Sequence, residues 1–225
     1  MICSIMQPTY LPWIGYFNLI KSADIFVFYD NVQFSKQSWQ QRNKIRNKTG
    51  EILLTLTVNS PGDKGEIREK TIFQPDRILK KHLLSIKQNY SKSLNYDLYI
   101  EKIEEIYLKK TDSLLDLNTE LIRLGCSIFQ IQTPLIFSSE LSVSEGKNEA
   151  LISICKELKA NKYLSPLGSK DYLKKELFIE NNIQLFFQHY THPHYNQLSY
   201  KSFISHLSFI DFLFNVPKEN FKLWI

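Results

Sequence analysis

The chain has 225 residues, of which 43% are hydrophobic and 23% are charged, and this is the composition of a globular protein. Lys and Arg outnumber Asp and Glu by 28 to 23, and a net charge of +5 is too small to indicate nucleic-acid binding. No apolar run approaches the roughly 20 residues of a transmembrane helix, and the N-terminus lacks the charged segment of a signal peptide. We therefore expect a soluble, cytoplasmic protein with neither membrane insertion nor a nucleic-acid partner.

The N-terminal residues predict a strand, a helix and a second strand. An apolar run at residues 2–6 stops at Gln7 and Pro8, which indicates a buried strand. Apolar residues at helical spacing predict a helix over residues 11–22, with Pro12 in its first turn. A continuous apolar run at residues 25–29 predicts the second buried strand. This order is typical of a βαβ unit in a parallel sheet.

The middle of the chain is predicted to be mostly helical. A turn signal at residues 47–50 precedes a strand at residues 51–58, which we expect to pair across that turn. Apolar residues with a period near 3.6 predict helices over residues 74–89 and 96–125, the second broken at residues 111–113. We interpret residues 74–127 as a helical insertion or cap within one α/β domain that spans residues 1–225.

The second half returns to alternating strands and helices. Strands are predicted at residues 128–138, 162–165 and 183–188, with helices at residues 144–160 and 171–181 between them. A last helix is predicted over residues 202–215. The predicted fold class is therefore α/β, with three layers and a mostly parallel sheet built from N- and C-terminal βα units around the central helical insertion.

Ligands of open parallel sheets bind beyond the carboxyl ends of the strands, so the loops that follow the predicted strands are the expected position of a binding site. These loops and the neighbouring segment 39–43 concentrate polar and aromatic side chains. The predicted substrate contacts are Gln7, Tyr10, Trp13, Gln33, Trp39, Arg42, Asn43, Ser165, Gly168, Ser169, Asp171 and Tyr195.

Two of these groups have an alternative structural interpretation. Trp39, Arg42 and Asn43 offer a stacking plane and paired donors for a phosphate or carboxylate, or they form a surface helix whose Trp packs on the core. The turn from Ser165 to Ser169 precedes a predicted helix and can bind an anion there. It is equally consistent with a tight strand-to-helix turn that Ser169 caps.

His192 and Asp30 are the predicted catalytic residues. His192 follows a strand and precedes Pro193, and a histidine fixed in this way can act as a general base. A purely structural histidine and a metal ligand are its alternatives, but the segment supplies no acidic or Cys partner, so no metal site is predicted. Asp30 ends a strand and either accepts from a ligand hydroxyl or cation, or caps a turn.

The three cysteines are predicted to be buried and to take no part in covalent catalysis. Cys3 lies inside the first predicted strand, and Cys126 and Cys155 lie in apolar helical contexts. Covalent thiol catalysis requires an accessible cysteine of low pKa beside a base or a helix N-terminus.

Three N-terminal segments resemble the opening of the WbqC-like family: IMQPTYLPWIGYF at residues 5–17, FYDNVQF at 28–34 and WQQRNKI at 39–45. Three later segments match its later blocks: YLSPLGSKDY at 163–172, HPHYNQ at 192–197 and LSFIDFLFN at 207–215. The resemblance covers nearly the whole chain. Members of this family occur in bacterial surface-polysaccharide gene clusters, some of which make amino-dideoxy sugars that carry acyl groups.

The resemblance implies transfer of an acyl or aminoacyl group, with glycyl as one candidate, to the amine of a nucleotide-linked amino sugar in O-antigen or lipopolysaccharide biosynthesis. The donor would be a thioester of coenzyme A or of a carrier protein's phosphopantetheine, with no permanently bound cofactor. His192 would take the proton of the attacking amine. Two alternatives remain open: a non-catalytic protein that binds the sugar nucleotide or the carrier protein, and a glycosyltransferase, although the DxD motif of many such enzymes is absent.

Overall fold

The strands form one central sheet and two small hairpins. In chain order they are β1 (Ile2–Met6), β2 (Ile25–Phe28), β3 (Arg42–Arg46), β4 (Glu51–Thr55), β5 (Val58–Asn59), β6 (Thr71–Ile72), β7 (Leu135–Phe137), β8 (Lys162–Ser165) and β9 (Gln184–Phe187). The structure is a computed structural model that describes residues 1–59, 65–109, 111–198 and 202–225. The central sheet has the order β7-β2-β1-β8-β9, and all four of its strand pairs are parallel.

Eight helices are present in the described part of the chain. They are α1 (Ile14–Lys21), α2 (Pro75–Tyr90), α3 (Tyr96–Leu108), α4 (Leu114–Ile128), α5 (Lys147–Glu157), α6 (Lys175–Glu180), α7 (Phe209–Asn215) and α8 (Phe221–Trp224). None of the helices in these ranges is both long enough and apolar enough to cross a membrane.

The alternation of side chains along the strands creates two cores. On β2, Phe26 and Phe28 face one core while Val27 faces the other, as the two-residue period of a strand requires. The larger core also takes the apolar faces of α1, α2, α3, α4 and α7. The smaller core takes those of α5 and α6. Helices on both faces of a parallel sheet make the three-layer α/β fold that the sequence predicts.

The segment between β2 and β7 holds more than the predicted helical insertion. It contains α2, α3 and α4, which cover residues 74–127 closely, but also the two antiparallel hairpins β3–β4 and β5–β6. The β3–β4 turn is fixed by Asn47, whose Oδ1 accepts from the backbone N–H groups of Thr49 and Gly50. The assignment of the whole chain to a single domain stays a prediction.

Several element boundaries differ from the predicted ones; the predicted strand 51–58, for example, ends at Thr55, and the helix predicted over residues 144–160 covers Lys147–Glu157. Helix α1 begins at Ile14 rather than at residue 11, because Leu11 has a positive φ of 46° and Trp13 is extended. Helix α7 begins at Phe209 rather than at residue 202, since Ser208 caps it by accepting from the N–H of Ile210. Strand β7 covers only residues 135–137 of the predicted 128–138, because α4 continues to Ile128.

Candidate functional site

A cavity of about 690 Å³ lies at the carboxyl ends of β1 and β8. We call it the main cavity. Strand β1 connects through α1 to β2 on one side, and β8 connects through α6 to β9 on the other, so the connections diverge between these two strands. This is the position where open parallel sheets bind their ligands. The lining residues are Ile5, Met6, Gln7, Thr9, Tyr29, Val32, Gln33, Ser38, Trp39, Gln40, Gly146, Lys147, Leu151, Tyr163, Ser165, Pro166 and Tyr172.

Gln7 presents a hydrogen-bond donor to the main cavity. The backbone N–H of Ser35 donates to Gln40 Oε1 (2.9 Å), which fixes the orientation of the Gln40 amide. Gln40 Nε2 therefore donates to Gln7 Oε1 (2.8 Å). Among the described residues no partner is left for Gln7 Nε2, so this amino group is available to a ligand. Gln40 is buried and its backbone carbonyl accepts from Asn118 Nδ2 (2.8 Å), which makes the pair rigid.

The hydroxyl groups at the end of β8 are bound mainly to one another. Ser165 Oγ lies 2.6 Å from Ser169 Oγ and 3.2 Å from the Tyr163 hydroxyl. Ser169 Oγ also donates to the carbonyl of Pro166 (2.7 Å). Ser165 and Tyr163 line the main cavity, whereas Ser169 lies behind them. The turn is thus held by internal hydrogen bonds, but Ser169 caps no helix: it ends the 3₁₀ turn of residues 167–169, and α6 begins only at Lys175.

One rim of the main cavity carries positive charge. Helix α5 begins at Lys147, which lines the cavity, and the preceding Gly146 has a φ of 95°. Gly146 has no side chain that can cap the helix, so the first N–H groups of α5 are left without a side-chain acceptor. The positive end of the helix dipole and the Lys147 ammonium both favour an anion at this rim, whereas the carboxylate of Glu149, which lies against Gly146 in the first turn of α5, opposes it.

A second, smaller cavity of about 260 Å³ adjoins the first. The two share Met6, Thr9 and Trp39, and the Trp39 side chain is 52% exposed between them. The remaining residues that line this small cavity are Pro12, Trp13, Tyr16, Asn43 and His206. Its wall is therefore largely aromatic and carries a single titratable imidazole.

Two histidines and Trp13 form a cluster beside the small cavity. The His192 ring stacks on Trp13 (centroids 6.0 Å apart, planes at 10°) and contacts the His206 ring at 4.9 Å. His206 in turn lies 4.8 Å from Trp13. The rings of Tyr190, Tyr195 and Phe203 complete the cluster.

The hydrogen bond of His192 fixes its tautomer. Nδ1 lies 2.8 Å from the Pro193 carbonyl, which can only accept, so Nδ1 carries the proton and Nε2 is the basic nitrogen. Burial, together with the charge of His206, lowers the pKa of His192, although the bond to Pro193 opposes this shift. His192 is therefore neutral near pH 7. It does not line either cavity but stands behind Trp13 and His206.

His206 is one of the residues of the site that sequence reasoning missed, as are Gln40 and Lys147 at the main cavity. The sequence places it inside the helix predicted over residues 202–215, whereas the structure places it before α7 with a φ of 59°. Positive φ is uncommon for residues other than glycine and is concentrated at functional sites. The available signal was Ser208, a good N-cap residue, which would have moved the helix start beyond His206.

Two of the predicted site residues are engaged in the core instead. Tyr10 is fully buried, and its hydroxyl is 2.8 Å from His82 Nδ1 and 2.5 Å from the Tyr107 hydroxyl. Asp30 is also buried, and it accepts from Ser139 N–H (3.0 Å) and from the hydroxyls of Ser138 (2.9 Å) and Ser139 (2.6 Å). Asp30 thus caps the 3₁₀ turn of residues 138–140, which was its structural alternative.

Other predicted contacts are distributed around the site. Asn43 lines the small cavity while its Nδ2 donates to the Leu11 carbonyl (2.6 Å), so it holds the loop after β1. Tyr195 donates to the buried Asp211 (2.9 Å). Six predicted contacts line neither of the two cavities: Tyr10, Tyr195, Arg42, which is half-buried in β3, the buried Ser169, and the exposed Gly168 and Asp171. The structure brings Gln7, Gln33, Trp39 and Ser165 together at the main cavity.

Comparison with known proteins identifies the family. A sequence model of the WbqC-like protein family matches residues 7–223. The chain belongs to the WbqC-like protein family. The chain is also 31% identical over 218 residues to an uncharacterized protein of Mycobacterium tuberculosis, and the match covers 96% of this chain and 94% of that protein. No solved structure matches the chain significantly. Apart from Ile5 and Met6, the residues that line the two cavities fall within the matched range.

Proposed function

We propose that this WbqC-like protein binds a nucleoside-diphosphate-linked amino sugar in the main cavity and transfers an acyl or aminoacyl group to the sugar amine. The donor is a thioester of coenzyme A or of a carrier protein. The observation that carries the proposal is the pair of adjoining cavities, which offers one compartment to each reactant and places a histidine in the wall of the smaller one.

The properties of the main cavity suit a sugar nucleotide. Its volume of about 690 Å³ lies within the range of small-molecule sites. Tyr29, Trp39 and Tyr172 lie around its rim and offer aromatic faces to a base or a sugar ring. Lys147 and the start of α5 suit the diphosphate, and Gln7 Nε2 suits a carbonyl or hydroxyl oxygen.

The proposed chemistry uses an imidazole and no covalent enzyme intermediate. The sugar ammonium first loses one proton to solvent, and the amine then attacks the thioester carbonyl. As the C–N bond forms and the C–S bond breaks, His206 takes a second proton from the nitrogen and delivers it to the departing thiolate. A positioned base of this kind accelerates a reaction by about 10²–10⁴-fold.

The cysteines give no support to a covalent route. All three are buried. The pKa of Cys3 is raised by its hydrogen bond with Cys155 and, as the second cause, by burial. Burial also raises the pKa of Cys126, to about 12. A thiol with a raised pKa carries almost no thiolate near pH 7, and the thiolate is the nucleophile.

A non-catalytic binding protein is the second candidate. The observation that favours it is that Asp30 is fully engaged as a cap and that His192 lies behind the cavity wall, so neither residue faces a ligand. A glycosyltransferase receives less support, because no Asp or Glu is among the residues described as lining the two cavities.

The deciding experiment combines binding and turnover on the full chain. Calorimetry with UDP- and dTDP-linked amino sugars, and with the matching hydroxy sugars, tests the main cavity. Mass spectrometry of the same mixtures with acyl and aminoacyl thioesters tests transfer. We expect a sugar nucleotide to bind and to gain the acyl mass. Binding without any product across the donor panel would favour the binding-protein candidate, and no binding of any sugar nucleotide would refute both the transferase and a protein that binds the sugar nucleotide.

A further inference from the structure

We propose that the small cavity is the acyl subsite, and that it selects a short, uncharged acyl group over both long acyl chains and aminoacyl groups. This inference rests on the proposed function, which leaves the choice between acyl and aminoacyl donors open. It is carried by the volume of the small cavity and by the chemistry of its wall.

Volume limits the length of the group. A cavity of about 150 Å³ holds a benzene ring, so 260 Å³ corresponds to roughly ten non-hydrogen atoms. Acetyl, propionyl and butyryl groups, with three to five non-hydrogen atoms, fit within this volume. A decanoyl group, with eleven, does not. Tyr16 and Pro12 cannot yield easily to a longer chain, because Tyr16 is buried on α1 and the Pro12 carbonyl accepts from Phe209 N–H (2.7 Å).

Charge selects against an aminoacyl group. The wall consists of Met6, Pro12, three aromatic rings and three polar side chains, and none of these residues is a carboxylate. Asn43 Oδ1 accepts from Lys44 N–H (2.7 Å), so only its second lone pair is open to an ammonium. The aromatic faces attract a cation by about 0.5–2 kcal/mol, but burial of an ammonium without a paired anion costs more, whereas a methyl group gains from the same surroundings without that cost.

Trp39 places the two reactants side by side. It lines both cavities, as do Met6 and Thr9, so the wall between the compartments is no thicker than these side chains. An acyl group in the small cavity therefore presents its carbonyl to the sugar amine at the junction. The C–N bond of the proposed reaction forms at this junction, and His206 lies in the adjoining wall of the acyl compartment.

The three tryptophans of the chain allow a test that does not depend on turnover. Trp13 lines only the small cavity, Trp39 lines both, and Trp224 lines neither. The full chain is labelled with 5-fluorotryptophan, and its three fluorine resonances are assigned with Trp39→Phe and Trp224→Phe, which leaves Trp13 by elimination. The probes are unreactive amides of cysteamine that carry propionyl, glycyl or decanoyl groups. Propionyl and glycyl have the same number of non-hydrogen atoms, and they differ at one end, where propionyl has a methyl group and glycyl an ammonium.

We expect the propionyl amide to shift the Trp13 and Trp39 resonances, and the glycyl and decanoyl amides to need at least tenfold higher concentrations. Equal binding of the glycyl amide would overturn the charge argument, and equal binding of the decanoyl amide would overturn the size limit. An unmoved Trp13 resonance with all three amides would overturn the subsite itself. A UDP-linked amino sugar is titrated separately and should shift Trp39 only. If it binds while the Trp13 resonance does not respond to the amides, the proposed function stands and this inference fails; if neither it nor a dTDP-linked amino sugar binds, the proposed function fails.

Discussion

At the scale of single residues, the position of Trp13 depends on a neighbour that has no side chain. A Cβ atom added to Gly15 would lie 2.2–2.5 Å from three carbons of the Trp13 six-membered ring. The indole therefore lies across the first turn of α1 because residue 15 is glycine. In this position Trp13 forms part of the small cavity and stacks against His192.

We predict that Gly15→Ala destabilises the protein even though it lies in a helix. Alanine is about 1 kcal/mol better than glycine in a helix interior, but displacement of a packed indole costs about 1–3 kcal/mol. Urea unfolding should show a net loss, and the fluorine resonance of Trp13 should shift. Gly168→Ala is the matched control, because nothing lies within 4 Å of an added Cβ there. A stabilised Gly15→Ala variant with an unmoved Trp13 would show that the indole does not lie over this turn.

The histidine pair supports a second prediction. His206 lines the small cavity and His192 does not, so His206→Ala should lower turnover by about 10²–10⁴-fold, the usual contribution of a general base. His192→Phe keeps an aromatic ring against Trp13 and should retain most of the activity. Initial rates of acyl transfer measure both effects, with the exposed His189→Ala as control. If His192→Phe loses as much activity as His206→Ala, then His192 is the base, as the sequence predicts.

At the scale of elements, α5 supplies the positive rim of the main cavity. We predict that Lys147→Ala weakens the binding of a UDP-linked sugar about tenfold or more, because a charge-assisted hydrogen bond contributes roughly 1.5–3 kcal/mol. Lys156→Ala is the matched control: it removes the same charge from an exposed position near the other end of the same helix. Calorimetry at low salt measures both. Equal affinities for the two variants would show that the anion does not bind at the start of α5.

The sequence predicts the interiors of the elements better than their ends. The apolar pattern of α3 and α4 is strong, and both the pattern and the break between them are confirmed. Helix ends depend on contacts that the local pattern does not contain. Helix α7 is an example: the N–H of Ser208 donates to the Lys44 carbonyl (2.9 Å), and Asn95 Nδ2 donates to the carbonyl of Leu213 (2.9 Å). Neither partner is near α7 in the sequence.

At the scale of the whole molecule, the alternation of strands and helices was sufficient to predict the three-layer fold, and the strand-end rule predicted the edge of the sheet where the main cavity lies. The composition of the site was harder to predict. Gln40 acts through Gln7, and its orientation is set by Ser35. Lys147 belongs to a helix that reaches the cavity only because the chain crosses the sheet between β7 and β8. Such contacts join distant segments and leave no mark on local periodicity.

One buried carboxylate joins several of these distant segments. Asp211 of α7 accepts from the hydroxyls of Tyr90 on α2 (2.8 Å) and Tyr195 (2.9 Å), and from Gln197 Nε2 (2.8 Å). Tyr90 also accepts from the backbone N–H of Arg46 on β3 (2.8 Å). The network thus holds α7, and His206 just before it, against the rest of the larger core.

We predict that Asp211 makes the protein less stable as the pH rises from about 4 to about 6, which is the reverse of the usual contribution of a carboxyl group. Burial raises the pKa of Asp211 from 3.8 to about 6, even though the three hydrogen bonds oppose the shift. A carboxyl whose pKa is higher in the folded state stabilises the fold fully below its unfolded pKa, and this contribution is lost as the pH rises through the folded value. About two pKa units correspond to about 3 kcal/mol, lost between about pH 4 and pH 6.

The measurement is the free energy of unfolding in urea from pH 4 to pH 7 for the wild type and for Asp211→Asn. Asparagine does not titrate, and the other titratable groups are common to both proteins, so their contributions cancel in the difference. We expect the wild type to be the more stable at pH 4 and to lose up to about 3 kcal/mol of this advantage by pH 7. Asp171→Asn, at an exposed carboxyl, should follow the wild type at every pH. An advantage of the wild type that stays constant or grows with pH would mean that Asp211 has no raised pKa in the folded protein. In that case the hydrogen bonds of Tyr90, Tyr195 and Gln197 would outweigh the cost of burying the charge.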